Sequence, residues 1–170
     1  MDIKPNLERS MVQLYPTALC NLNCTYCQID KNSVLKEIDT MLEKSFNDKE
    51  YYFNRIKQYF PMPHQLTNLE TWGGEPFLRI ERIFPLLHQL IEYYPYLSNL
   101  FSSTNFSFVE WPQKFLSLMN ELGNYPDRIF NYTLQLSCDG PEYINDLGRG
   151  NGVTEKCLNN FNILLQELPK

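Results

Sequence analysis

The chain has 170 residues, with 15 lysines and arginines against 20 aspartates and glutamates, and 43% of its positions are hydrophobic. That length supports one domain with a continuous core and excludes a complete eight-unit α/β barrel, which needs roughly 200 residues or more, unless part of it lies elsewhere. The net charge of -5 gives no electrostatic footprint for nucleic acid or an anionic membrane, and with neither a signal-peptide pattern nor a bilayer-length apolar run the expected location is the cytoplasm.

Taken in order, Val12 to Leu19 reads as a strand carrying a proline, followed by a cysteine-bearing loop. Helical patterning then runs from about Ser33 to Tyr59. Leu35, Ile38, Met41 and Leu42 mark one apolar face and Tyr52, Ile56, Tyr59 and Phe60 another, with a break at Asn47-Asp48. Leu69 to Trp72 is a short strand that enters Gly73-Gly74-Glu75-Pro76, after which Ile80, Ile83, Phe84, Leu87, Leu90, Ile91 and Tyr94 repeat at helical spacing. A third strand near Leu100 to Asn105 precedes a helix with Pro112 in its first turn and Phe115, Leu118, Met119 and Leu122 on one face, ending before Gly123. In the fourth strand Tyr132, Leu134, Leu136 and Cys138 alternate with Asn131, Thr133, Gln135, Ser137 and Asp139, giving one apolar and one polar side. Residues 145 to 152 read as a loop, and Cys157, Phe161, Leu164, Leu165 and Leu168 line a last helix.

Four strand-helix units in succession predict a parallel sheet covered by helices. A fully buried parallel sheet would not carry the polar side of the fourth strand, which suits the lumen of a curved sheet better. The expected fold class is therefore α/β, a partial parallel (βα) barrel of about four units in a single domain over residues 1–170.

Five cysteines, an odd number, argue against a disulfide framework. Cys20, Cys24 and Cys27 crowd into one loop at the end of the first strand, where ligands bind in parallel sheets. Three thiolates in so tight a loop can converge on one metal centre, and Asn21 and Asn23 tolerate the left-handed backbone that such a wrap requires. A zinc-binding turn would need a fourth ligand. Neither His64 nor His88 has suitable spacing, and both are expected at the surface. A [4Fe–4S] cluster on three cysteines leaves one iron open for chemistry. Cys138 and Cys157 fall on apolar stripes and are expected in the core.

The spacing C-x3-C-x2-C after a first strand, with aromatic Tyr26 before the last cysteine, resembles the signature of radical S-adenosylmethionine (SAM) enzymes. Gly73-Gly74-Glu75-Pro76 looks like the family's GGEP element. Thr104-Asn105 is similar to the T-N-G element of its peptide- and protein-modifying subgroup, which includes the anaerobic sulfatase-maturing enzymes, with Phe106 in place of glycine. Ser137-Cys138-Asp139-Gly140-Pro141, followed by Asp146 and Arg149, resembles that subgroup's S-x-D-G-P element, although Asn145 stands where many relatives carry histidine. The likeness spans about Gln13 to Leu168.

The resemblance implies a [4Fe–4S] cluster on Cys20, Cys24 and Cys27, and S-adenosyl-L-methionine held by Tyr26, Gly73, Gly74, Glu75, Asn105, Ser137 and Arg149. Glu75 would accept hydrogen bonds from the SAM amino group, Arg149 would meet its carboxylate or ribose, Ser137 its ribose or methionine portion, and the two glycines would let backbone approach the ligand. It also implies an external one-electron reductant of flavodoxin or ferredoxin type, and a 5′-deoxyadenosyl radical that abstracts hydrogen from a peptide or protein substrate. The family's core has six units, so a further segment or a partner chain would complete the barrel beside the fourth strand. The rival expectations are a non-catalytic iron–sulfur or zinc scaffold or redox sensor, and a SAM-independent electron-transfer protein.

Overall fold

In the computed structural model, which describes residues 10–29, 34–48 and 50–167, four short parallel strands lie side by side in the order in which they occur along the chain. They are β1 (Met11–Leu14), β2 (Asn68–Thr71), β3 (Asn99–Thr104) and β4 (Asn131–Leu136). Between and after them come α1 (Val34–Asn47), α2 (Tyr51–Tyr59), a 3-10 stretch (Pro76–Ile83), α3 (Phe84–Tyr93), α4 (Trp111–Gly123), α5 (Glu142–Arg149) and α6 (Val153–Glu167). No helix among the described residues is long and apolar enough to cross a membrane.

Strand alternation divides the sheet into two unlike faces. Leu14, Leu69 and Leu100 are buried on one face, joined by the partly buried Tyr132 and Leu134, and they pack with Phe77, Ile80, Leu87, Leu90, Trp111 and Phe115 from the helical side. The opposite face carries Gln13, Asn68, Glu70, Asn99, Phe101, Ser103, Asn131, Thr133 and Gln135, all half-buried or exposed. Register aligns them in rows: Asn68 beside Asn99 beside Asn131, and Gln13 beside Glu70 beside Phe101 beside Thr133. The asparagine row is a ladder, with Asn131 Nδ2 donating to Asn99 Oδ1 at 3.3 Å and Asn99 Nδ2 to Asn68 Oδ1 at 3.2 Å. Among the described residues β1 and β4 each have a single neighbour.

Several elements depart from their sequence patterns. The first strand stops at Leu14 instead of reaching Leu19, because Pro16 has no N–H to give a ladder and Thr17 and Leu19 turn their carbonyls to Gly74 and Glu75. In α1 the inward residues are Asp39 and Phe46, while Ile38 and Met41 are exposed, as is Tyr59 in α2. Residues 142–149, expected in part as loop, form α5. The polar residues that suggested a loop are used internally: Asn145 Oδ1 accepts from Asp139 N at 3.1 Å, and Asp146 accepts from Gly152 N and Thr154 N at the start of α6. In α6, Val153, Asn160 and Leu164 are buried; Phe161 and Leu165 are exposed, and Leu168 lies outside the described residues. Cys138 is exposed rather than in the core, because β4 ends two residues before it. His88 is half-buried and bonded to Tyr125 Oη at 2.7 Å and Glu121 at 2.8 Å, whereas His64 is exposed as expected.

Asp39 turns inward because a cation waits for it. Arg82 from the 3-10 stretch approaches its carboxylate at 3.1 Å, both side chains being 9% exposed, and Arg82 also donates to Pro16 O at 3.0 Å. Thr17 Oγ1 and Ala18 N donate to the same carboxylate, tying α1 to the exit of β1. Burial pushes the Asp39 carboxyl up, but Arg82 and Thr17 outweigh it and hold the value below the ordinary one. A lowered folded-state value means stability that is present above the ordinary aspartate range and is lost as pH falls through it. Asp39→Ala leaves a buried guanidinium without its main partner and is expected to reduce unfolding free energy by about 3 kcal/mol at neutral pH. Urea titrations should show that difference shrinking below about pH 4.

Candidate functional site

The exits of all four strands meet at one rim of the sheet, and a cavity of about 280 Å³ opens there. Cys20, Cys24, Cys27, Tyr26, Gly73, Gly74, Asn105, Ser137 and Arg149 all line it, together with Trp72 and Ser103. Residues more than a hundred positions apart are thus brought to one place. Glu75 is the expected site residue that does not reach it.

The cysteine loop is held from within and from its neighbours. Cys27 N donates to Cys24 O at 3.1 Å, and Leu22, 8% exposed, anchors the loop inward. Asn105 Nδ2 donates to Asn21 Oδ1 at 2.9 Å and lies 3.5 Å from Cys20 Sγ, while Asn21 Nδ2 donates to Ser107 Oγ at 2.9 Å. Asn105 therefore orients the first cysteine. Its own carbonyl oxygen Oδ1 accepts from Ser107 N and Oγ, which locks the amide.

Gly73 and Gly74 serve a closer neighbour than a ligand. A Cβ on Gly73, whose φ is +141°, would lie 2.4 Å from Thr17 O, and one on Gly74 would lie 2.2 Å from Leu19 O. Only glycine lets the exit of β2 lie against the exit of β1, where Glu75 N donates to Leu19 O at 2.8 Å.

Glu75 is fully buried, and its carboxylate is used inside the protein. Oε1 accepts from Phe77 N at 3.1 Å, capping the 3-10 stretch, and from Thr104 Oγ1 at 2.8 Å; Oε2 accepts from Asn105 N at 2.7 Å. Thr104 Oγ1 in turn accepts from Trp111 Nε1 and Phe106 N, so it must donate to Glu75. Burial pushes the Glu75 carboxyl up to about 7, against these three bonds, which favour the carboxylate.

A cluster of Tyr26, Asp139 and Arg149 closes the rim. Arg149 Nη2 donates to Asp139 Oδ1 at 2.8 Å, Tyr26 Oη donates to Asp139 Oδ2, and the guanidinium lies 5.7 Å from the Tyr26 ring centre. Thr25 N donates to Gly148 O at 2.8 Å, so the end of α5 is docked on the cysteine loop. Burial and the bond to Asp139 push the Tyr26 hydroxyl up to about 12, and it stays protonated as a donor. Arg149 Nε is buried and, among the described residues, has no hydrogen-bond partner. Cys157 donates to Asn105 O at 3.2 Å, and burial pushes its thiol up to about 11, which keeps it unreactive.

Sequence reasoning did not assign roles to Thr104, Ser107 or Asp139 at this site. Asp139 lies within the S-x-D-G-P element, but a carboxylate that orients an arginine ten residues later has no signature of its own. What the residues offer toward an iron–sulfur cluster is a donor set of three cysteine sulfurs lining one cavity, not a preformed cage. Among the described residues no group of three or more His, Cys, Asp or Glu side chains is placed to hold a metal ion. Comparison with protein-family models and with curated proteins finds no match to this chain.

Glu75→Gln sets an amide N–H₂ against groups that donate, and is expected to destabilise the fold by about 1–3 kcal/mol in urea unfolding. Because burial raises the folded-state value, stability from Glu75 falls as pH rises from about 4.3 through about 7, and the glutamine protein should lack that decline. For the Tyr26–Asp139–Arg149 cluster, Asp139→Ala should speed hydrogen exchange at the Thr25 amide roughly ten- to a hundred-fold, with the β2 and β3 amides unchanged.

Proposed function

We propose that this chain binds a [4Fe–4S] cluster and S-adenosyl-L-methionine as a radical SAM enzyme, or a unit of one, acting on a peptide or protein. The observation that carries the reading is the convergence of the three cysteines with Gly73, Gly74, Asn105, Ser137 and Arg149 on one cavity at the strand exits. The sequence motifs alone fixed order along the chain, not nearness in space.

In this reading Cys20, Cys24 and Cys27 would hold the cluster through their thiolates, and the cluster, when bound, would supply the electron for reductive cleavage of the SAM sulfonium. The Asn105 amide stabilises the Cys20 sulfur by donating toward it. Arg149, oriented by Asp139 and lining the cavity, would offer its guanidinium to the carboxylate of SAM. Ser137, whose backbone N donates to Thr104 O at 2.9 Å, holds a hydroxyl at the cavity wall for the ribose or methionine portion. Glu75 acts one layer behind, fixing Asn105 through its backbone. The open polar sheet face is then the inner wall of a partial barrel, and a further segment or partner chain beside β4 would complete it. A flavodoxin- or ferredoxin-type protein in the cytoplasm would supply the electron.

Anaerobic reconstitution with iron and sulfide tests the reading. Cluster content should collapse in Cys20→Ala, Cys24→Ala and Cys27→Ala and persist in Cys138→Ala and Cys157→Ala. Electron paramagnetic resonance of the reduced cluster should change on adding SAM. An unchanged spectrum would assign the chain to a scaffold or electron-transfer role, and full iron in the Cys24→Ala protein would remove the cluster assignment.

A further inference from the structure

We infer that the open face of the sheet holds a binding site for an organic cation, built from Glu70, Trp72 and Phe101, which takes the ammonium or guanidinium end of a lysine or arginine side chain. Glu70 and Phe101 are register neighbours on β2 and β3 and line a cavity of about 320 Å³ on that face. Gln13 Nε2 and Trp72 Nε1 both donate to one oxygen of Glu70, Oε2, at 2.9 and 2.8 Å. These bonds hold the carboxylate in place through Oε2, and among the described residues Oε1 accepts no further hydrogen bond, which leaves its acceptor capacity for a ligand. Among the described residues Glu70 forms no ion pair with lysine, arginine or histidine. The Trp72 and Phe101 rings stack beside it, with centroids 5.5 Å apart and planes 29° from parallel.

A fixed carboxylate beside stacked aromatic rings attracts a cation twice, through its charge and through the ring quadrupoles. Among the described residues the others lining this cavity are neutral, and Glu70 is the one charge there. A neutral polar ligand would gain little from that charge, and an anion would be repelled.

The site also lies near the cysteine cavity. Trp72 and Ser103 line that cavity, and one same-face step along a strand covers about 6–7 Å, so Glu70 is one step from its wall. Assigning the cation to the substrate of the cluster rests on the function proposed above; the binding of the cation does not.

The test uses the ¹⁵N-labelled chain without iron or SAM, so its outcome is separate from that of cluster reconstitution. N-acetyl-lysine methylamide, N-acetyl-arginine methylamide and the uncharged N-acetyl-norleucine methylamide are titrated while the indole N–H resonances are followed. Trp72 reports the site, and Trp111, buried and bonded to Thr104, reports the fold. The expected result is a saturable Trp72 shift with at least one cation, at roughly tenfold or higher affinity over norleucine, lost by tenfold or more in Glu70→Gln and reduced in Phe101→Leu. Equal response to lysine and norleucine derivatives, no saturable response to either cation, or undiminished cation affinity in a Glu70→Gln protein with an unmoved Trp111 resonance would overturn the inference. Should Glu70→Gln disturb Trp111, the parent chain's selectivity and the Phe101→Leu titration decide it in the same terms.

Discussion

The buried carboxylate of Glu75 is the constraint on which the rim of the sheet depends. A carboxylate removed from water must find donors, and this one finds them in the first turn after β2 and at the exit of β3. By accepting from Asn105 N it fixes the residue whose side chain reaches the cysteine loop. Gly73 and Gly74 make the arrangement possible, since any side chain there would separate the first two strand exits. Charge burial and the lack of a Cβ thus act together to place polar groups that lie far apart in the chain.

What the sequence discloses follows from how local each signal is. The alternation of Tyr132 and Leu134 with Asn131 and Thr133, and the helical spacing of Leu87, Leu90 and Ile91, depend only on near neighbours, and a strand and a helix form there. The strand nevertheless stops at Leu136, short of Asp139, and Ile80 and Ile83 fall in the 3-10 stretch instead of the helix. α5 was hidden because Asn145 and Asp146 resemble loop formers, and their real partners, Asp139 and the start of α6, are set by the tertiary fold. The inward face of α1 was hidden for a related reason: Asp39 is buried only because Arg82, 43 residues later, meets it. Strand register cannot be read from one strand at a time, so the grouping of Gln13, Glu70, Phe101 and Thr133 emerges only from the sheet.

The two faces of the sheet divide the physical work. Helices bury the apolar face and provide the hydrophobic stabilisation of the fold. The opposite face keeps amides, hydroxyls and one carboxylate in contact with solvent, so those groups retain the capacity to bond a ligand. Hydrogen bonds among them, as in the asparagine ladder, limit their rotamers without using all their donors and acceptors.

Phe106 shows how the apolar side reaches into the polar one. Its φ of +59° lies in the left-handed region that ordinarily favours glycine, directly after Asn105. Its ring is 1% exposed and meets Trp111 edge-on, with centroids 4.0 Å apart, while Asn160 Nδ2 donates to its carbonyl at 2.9 Å. Glycine would relieve the strain but would leave a swivel, with many more backbone states open to it. A phenylalanine in this conformation behaves as a latch: the core grips the ring, and the grip sets the angle at which the neighbouring amide is offered to Cys20. The precision of the polar rim is in this respect borrowed from the mechanical stiffness of the hydrocarbon packing beneath it.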